Sequence, residues 1–278
     1  MLARLREERF GLLVLPALVL IAAVFAYPVF WLLLRSFSDP AWGPQNYETA
    51  LGKFIYLKVF WNTISIAGAT TFFCLLLGFP TAYSMVHASP LFKRLLIFVV
   101  LIPFWTSILV RTFAWMILLQ PNGLLNDMMI GIGLLEMPMD LIFNRTGVLI
   151  GMVQILLPFM IFPLYSVMAR IDGSYILAAS NLGARPVKQF WRVYLPLCLP
   201  GIVTGSMLVF IIALGYFITP ALLGGRKDVM IAQLVHENIT LLGNWGLASA
   251  LAIILLIGTG LIFLIVHKVF RVGPDARQ

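Results

Sequence analysis

Apolar runs of about 20 residues or more recur along this chain with hardly a charge inside them, and that is the length an α-helix needs to cross a bilayer. Six are read: about 11–34, 63–86, 95–119, 147–169, 197–219 and 247–268. With 61% of residues hydrophobic and only 11% charged, the chain departs from soluble composition in both respects. The expectation is an all-α, polytopic membrane helical bundle of six transmembrane helices, organised as a single membrane domain over 1–278. No long linker, low-complexity run or inverted repeat divides it. Arg4, Arg6 and Arg9 precede the first run as they would in a secretory signal, but that run outlasts a signal's apolar core, so it reads as a retained span.

The charges then orient the spans. One set of connections holds Arg4, Arg6, Arg9, Lys93, Arg94, Arg170, Arg185, Lys188, Arg192, Lys268, Arg271 and Arg277; the other holds Arg35, Lys53, Lys58, Arg145, Arg226 and Lys227. Basic residues accumulate on the cytoplasmic side, so both termini are expected there. The opposite connections are longer and carry Asp39, Glu48, Asp127, Glu136, Asp140, Asp228 and Glu237, which offers surface to something outside. The formal charge of +8 is therefore topological and gives no reason to expect nucleic acid.

Chemistry of the usual kinds is missing. Cys74 and Cys198 fall in or beside apolar runs and read as small buried hydrophobes. His87, His236 and His267 have no carboxylate or cysteine at ligand spacing, so no metal site and no catalytic residues are assigned. No phosphate-binding Walker sequence occurs, so no cofactor is expected on this chain, and any ATP and Mg²⁺ would be bound and consumed by another one.

One cytoplasmic stretch, about 172–196, breaks the apolar pattern. Asp172-Gly173 signals a turn, Ser174 suits an N-cap, and a short helix should run to Leu182. Gly183 fits the left-handed position that ends a helix, and Pro186 the first turn of a second short helix over about 186–194. Pro196 and Pro200 should punctuate re-entry into the membrane. From these residues alone two readings stay open: an amphipathic element resting on lipid headgroups, or a docking corner at which Ala178 and Ala179 let another protein approach closely.

The segment ILAASNLGARPVKQFWRVYLPLCLPGI resembles the loop with the Glu-Ala-Ala motif found in binding-protein-dependent ABC importer permeases, with Ala178, Ala179, Gly183, Ala184, Leu195, Pro196 and Pro200 in register. Leu177 stands where the family has glutamate. The resemblance extends over nearly the whole chain and implies the MetI-like permease fold, with 172–196 as a coupling loop through which Ala178, Ala179, Gly183, Ala184 and Pro196 meet a cytoplasmic ABC ATPase dimer. PFWTSILVRTFAW (103–115) and ALGYFITPALLGG (213–225) narrow it to a branch similar to spermidine/putrescine and opine-type permeases. That branch implies a polyamine as solute, an opine or amino-acid-like solute as the alternative, a second permease subunit forming a heterodimer, a periplasmic or extracellular solute-binding protein, and residence in a bacterial inner membrane. Tyr216 and Ala221 depart from the acidic residues that polyamine members carry.

Candidate pathway residues are Trp105, Arg111, Trp115, Tyr216 and Thr219, with Thr106, Ser107, Thr112 and Gln154 as further polar groups in or beside spans. Arg111 is the one basic residue well inside a run, where an unpaired charge costs about 3 kcal/mol on insertion scales. A structural role for it is favoured, since it would repel a polyammonium solute. A secondary transporter or channel would call for an Asp, Glu or His deep in a span, and a membrane enzyme for a nucleophile with its base; the sequence provides neither.

Overall fold

The computed structural model describes residues 15–270, and among them all regular structure is helical. The opening of the first predicted run, the flanking Arg4, Arg6 and Arg9, and Arg271 and Arg277 lie outside the described residues. The chain divides into two compact units, Met1–Leu57 with Leu234–Leu256, and Lys58–Gln233 with Ile257–Gln278.

The first unit contains α1 (Leu15–Ser38) and the short α2 (Gln45–Gly52). Their junction is held by Asn46, whose buried amide donates to the Ser36 carbonyl at 2.9 Å and the Asp39 carbonyl at 2.7 Å. Ser36 and Tyr47 share a hydroxyl hydrogen bond of 2.8 Å, so the carbonyls freed at the end of α1 are met by side chains in place of water.

The long α3 (Phe54–His87) runs from the first unit into the second. It is followed by α4 (Pro90–Trp105), α5 (Ile108–Leu118), α6 (Leu124–Gly131), α7 (Arg145–Met168), α8 (Ser174–Asn181), α9 (Pro186–Leu214), α10 (Ile218–Leu223), α11 (Ile231–Thr240) and α12 (Trp245–Phe270). Among the described residues five helices are long and apolar enough to cross a membrane, and α4 with α5 makes a sixth if the pair is taken as one broken span.

The core of the second unit is α7. Of its most apolar stretch 61% is buried, against 39% for α9, so within this unit it is the more central helix. Met152, Leu156, Met160, Ile161, Leu164 and Met168 are fully buried along it. It starts at a true cap, since Asn144 Oδ1 accepts from the Gly147 amide at 3.0 Å. Glycine lets neighbours come close: a Cβ on Gly205 of α9 would lie 2.9 Å from Met160 Sδ and 3.2 Å from the Met160 carbonyl oxygen, and one on Gly78 of α3 would lie 2.9 Å from Met160 Cγ. Pro158 and Pro163 sit inside α7 without ending it, as membrane helices allow.

Three sequence expectations are corrected. The run 95–119 is not one straight helix, because α4 and α5 meet at a 103° bend across Thr106 and Ser107. There Thr106 turns back on α4, its hydroxyl donating to the Pro103 carbonyl at 3.0 Å and its amide to the same oxygen at 3.3 Å. The predicted second short helix over 186–194 is not separate either; it continues into the fifth span as α9. A π-turn at Phe190–Tyr194, in which the Leu195 amide bonds the Phe190 carbonyl, widens the helix just ahead of Pro196 and accommodates a ring that would otherwise clash with the preceding turn. Leu214 then ends α9 short of the predicted 219, and Tyr216 falls in the break before α10.

Candidate functional site

Two places on the second unit gather the residues singled out from sequence. The first is the corner between α8 and α9. The Gly173-Ser174 start is capped by the Asp172 carboxylate, which accepts from the Ser174 amide at 2.9 Å; Ser174 itself makes no capping bond, contrary to expectation. At the other end Gly183 has φ +76°, and the Gly183 and Ala184 amides bond the Ser180 and Ala179 carbonyls at 2.9 and 3.0 Å. These are the paired bonds of a Schellman stop, so Gly183 ends the helix in the left-handed conformation its sequence predicts. Arg185 and Pro186 open α9 directly afterwards.

The sequence did not single out Gln189. Its side-chain amide donates to Ser180 Oγ at 2.9 Å and to the Ala184 carbonyl at 2.6 Å, tying the first turn of α9 back to the end of α8. The corner is thus pinned by two side-chain bonds as well as by its backbone. Removing both, at about 1 kcal/mol each, should loosen the corner without unfolding the spans. Gln189→Ala is expected to speed amide hydrogen exchange at Gly183 and Ala184 several-fold at an unchanged protein level; unaltered exchange would refute a positioning role for Gln189.

No residue of α8 is buried. Ala178 and Gly183 are exposed, Ala179 and Ala184 are half-buried, and Pro196 is exposed on α9. Around them Tyr175, Leu177, Leu182, Val187 and Trp191 expose large apolar side chains, with Leu182 at 88% and Val187 at 70%. Beneath the corner, aromatic rings connect α9 to α3: Phe190 meets Phe79 edge-on at 6.0 Å and Tyr194 meets Tyr83 at 5.5 Å.

The second place is a cavity of about 470 Å³ at the α4–α5 bend. Pro103, Phe104, Thr106, Ser107, Ile108 and Arg111 line one side of it. Ile155, Leu156, Pro158 and Phe159 of α7 line another, and Ile212 and Tyr216 close it from the end of α9. Of the pathway candidates the cavity therefore brings together Arg111 and Tyr216, with Thr106 and Ser107. Trp105 is 74% exposed and Trp115 half-buried, and neither lines the cavity. Thr219 is fully buried in a packing seam, its hydroxyl 3.4 Å from that of Thr112 and its methyl against Gly151. Gln154 holds a buried Oε1 without a hydrogen-bond partner among the described residues. The apolar walls escaped notice in the sequence because Ile155, Leu156 and Ile212 look like any core positions.

The profile of the binding-protein-dependent transport system inner membrane component family matches residues 74–271. The chain belongs to that family. This permease is 38% identical over 224 residues to the spermidine/putrescine transport system permease protein PotB of Haemophilus influenzae (strain KW20 / Rd), covering 81% of this chain and 78% of that one. It is 32% identical over 242 residues to the inner membrane ABC transporter permease protein YdcU of Escherichia coli (strain K12), covering 83% and 73%. Its fold is that of a bacterial alginate ABC transporter solved in complex with an alginate pentasaccharide-bound periplasmic protein: TM-score 0.75 over 95% of this chain and 94% of that one, at 16% identity. The all-α, multi-pass architecture and the MetI-like family resemblance read from the sequence therefore hold, and the permease is a membrane subunit of an ABC importer.

Proposed function

We propose that this permease forms half of the pathway through which an ATP-driven importer takes up a small amine of the spermidine/putrescine class, and that it is driven through the α8–α9 corner by a separate cytoplasmic ATPase dimer. The observation that carries the coupling reading is a rigid corner presenting an exposed apolar face: Gly183 and Gln189 fix its angle, while Leu177, Leu182 and Val187 remain uncovered. A contact that transmits a push must be stiff, and one that docks must have apolar area to bury. Ala178, Ala179 and Ala184 keep that face low enough for close approach, and Leu177 supplies shape where the family's glutamate would supply charge. Pro196, behind the π-turn, keeps the corner continuous with the fifth span.

One such corner engages one ATPase protomer, so a second, related permease completes the pathway, and a solute-binding protein delivers cargo to the long acidic connections on the outer side. Both termini then lie in the cytoplasm of a bacterium whose inner membrane holds the complex. ATP and Mg²⁺ belong to the ATPase, and this chain binds no cofactor of its own.

The amine reading is supported by identity to permeases named for spermidine and putrescine. The second reading, an opine or amino-acid-like solute, is favoured by Arg111 on the cavity wall. Deleting the gene should abolish energy-dependent uptake of labelled putrescine or spermidine. Intact polyamine uptake in the deletion strain, with loss of an amino-acid-like solute, would instead select the second reading.

A further inference from the structure

The 103° bend has a chemical consequence inside the cavity. In a straight span Thr106 and Ser107 would sit in mid-helix with their neighbours' amides consumed by i→i−4 bonds. Here α5 begins anew at Ile108, Ser107 occupies its N-cap without making a side-chain cap, and Ser107 and Ile108 line the cavity. The first amides of α5 thus bring the positive end of a helix dipole to the wall. One turn along, Arg111 lines the same space, and its Nε is buried with no hydrogen-bond partner among the described residues.

Among the described residues no Asp or Glu lines the cavity to neutralise this charge. Ile155, Leu156 and Phe159 make the remaining wall apolar, which strengthens whatever electrostatic interaction a bound group makes. An ammonium entering here meets like charge, whereas an oxyanion meets a guanidinium fork, a helix amino end and the polar edge of Tyr216.

We propose that this cavity is an anion subsite and that it holds the carboxylate end of the translocated solute. This rests on the reading of the chain as half of a solute pathway, and it deepens the second solute reading, a molecule that carries a carboxylate beside any amine. The phosphate of a lipid headgroup shares the chemistry, so the test must separate the two.

Putrescine and 4-aminobutanoate are suitable probes, because they differ in bearing an ammonium or a carboxylate at one end of the same four-carbon chain. The permease–ATPase complex, without binding protein, is placed in phosphatidylcholine nanodiscs and its thermal midpoint followed. Addition of 4-aminobutanoate should raise the midpoint in the wild type, less in Arg111→Lys and not in Arg111→Gln, while any effect of putrescine should not depend on Arg111. In proteoliposomes of the complete importer, Arg111→Gln should raise KM for 4-aminobutanoate at least tenfold and leave putrescine uptake equal or faster. Three results overturn the proposal: no midpoint shift with 4-aminobutanoate in the wild type, an equal shift in wild type and Arg111→Gln, or an Arg111-dependent shift produced only by added phosphatidylglycerol, which assigns the site to lipid phosphate. If Arg111→Gln fails to assemble, the Lys variant decides, since it keeps the charge but loses the fork. ATP-driven putrescine uptake without any Arg111-dependent response to 4-aminobutanoate sinks the subsite and leaves the permease reading intact; Arg111-dependent binding without ATP-driven uptake does the reverse.

Discussion

Gly183→Val is expected to leave the permease inserted and assembled while ATP-driven uptake falls by more than tenfold. A Cβ at residue 183 would meet no atom within 4 Å, so the substitution disturbs no packing. What it disturbs is the backbone. Gly183 has φ +76°, a conformation that costs an L-residue about 1–2 kcal/mol and a β-branched one more. At about 1.4 kcal/mol per tenfold, that strain moves the balance between the native corner and a relaxed one by about tenfold toward the relaxed one. The Schellman bonds at Ser180 and Ala179 would be lost with it, and the Gln189 clamp would no longer face its two acceptors. The decisive measurement is solute-stimulated ATP hydrolysis in the reconstituted importer, which should be lost although the ATPase itself is unaltered. Gly183→Asn is the companion variant, since asparagine visits the left-handed region at low cost and should retain most of the coupling. Normal stimulated turnover in Gly183→Val would remove the corner from the coupling mechanism.

The same corner shows what a sequence can disclose. Gly183 was legible because a left-handed helix stop has a residue signature, and Pro186 because the first turn of a helix has one. Gln189 was not, since nothing in a glutamine on a partly basic helix says that its amide will reach back over nine residues to Ser180. The spans were legible for a related reason: hydropathy reports how long an apolar run is, and a bilayer sets the length. It is blind to direction, so the run 95–119 looked continuous although the chain turns by 103° within it. The local signal was the polar pair Thr106-Ser107 three residues after Pro103, where hydroxyl and amide both return to the Pro103 carbonyl. That same turn creates the cavity, and for that reason the sequence named Arg111 and Tyr216 as separate candidates but could not bring them to one cavity. Arg111 read as structural because it would repel a polyammonium solute; the structure leaves its Nε without a hydrogen-bond partner among the described residues and places the residue on a cavity wall.

A second large effect is expected at Gly205, and of a different kind: Gly205→Leu should remove the folded protein from the membrane, where Gly183→Val removes only its coupling. Met160 of α7 is fully buried and is flanked by glycine on two helices, Gly205 of α9 and Gly78 of α3. Its thioether could swing away from a new side chain at residue 205, but its carbonyl oxygen at 3.2 Å and Cα at 3.5 Å from the added Cβ belong to the α7 backbone and cannot. The two helices must separate, and one turn earlier a Cβ on Gly201 would lie at a similar 3.2 Å from the Pro163 carbonyl oxygen, so the seam is equally close there. Overpacking a well-filled core costs roughly 1–3 kcal/mol when side chains can adjust, and more when only backbone can. Lipid supplies no hydrophobic force to press the helices back together, so close packing is what holds this seam. Gly258 of α12 provides the control, because a Cβ there meets nothing within 4 Å. Membrane levels and the thermal midpoint should therefore collapse for Gly205→Leu and stay near wild type for Gly258→Leu. Equal levels for the two variants would mean that α7 and α9 are held by something other than the glycine contacts around Met160.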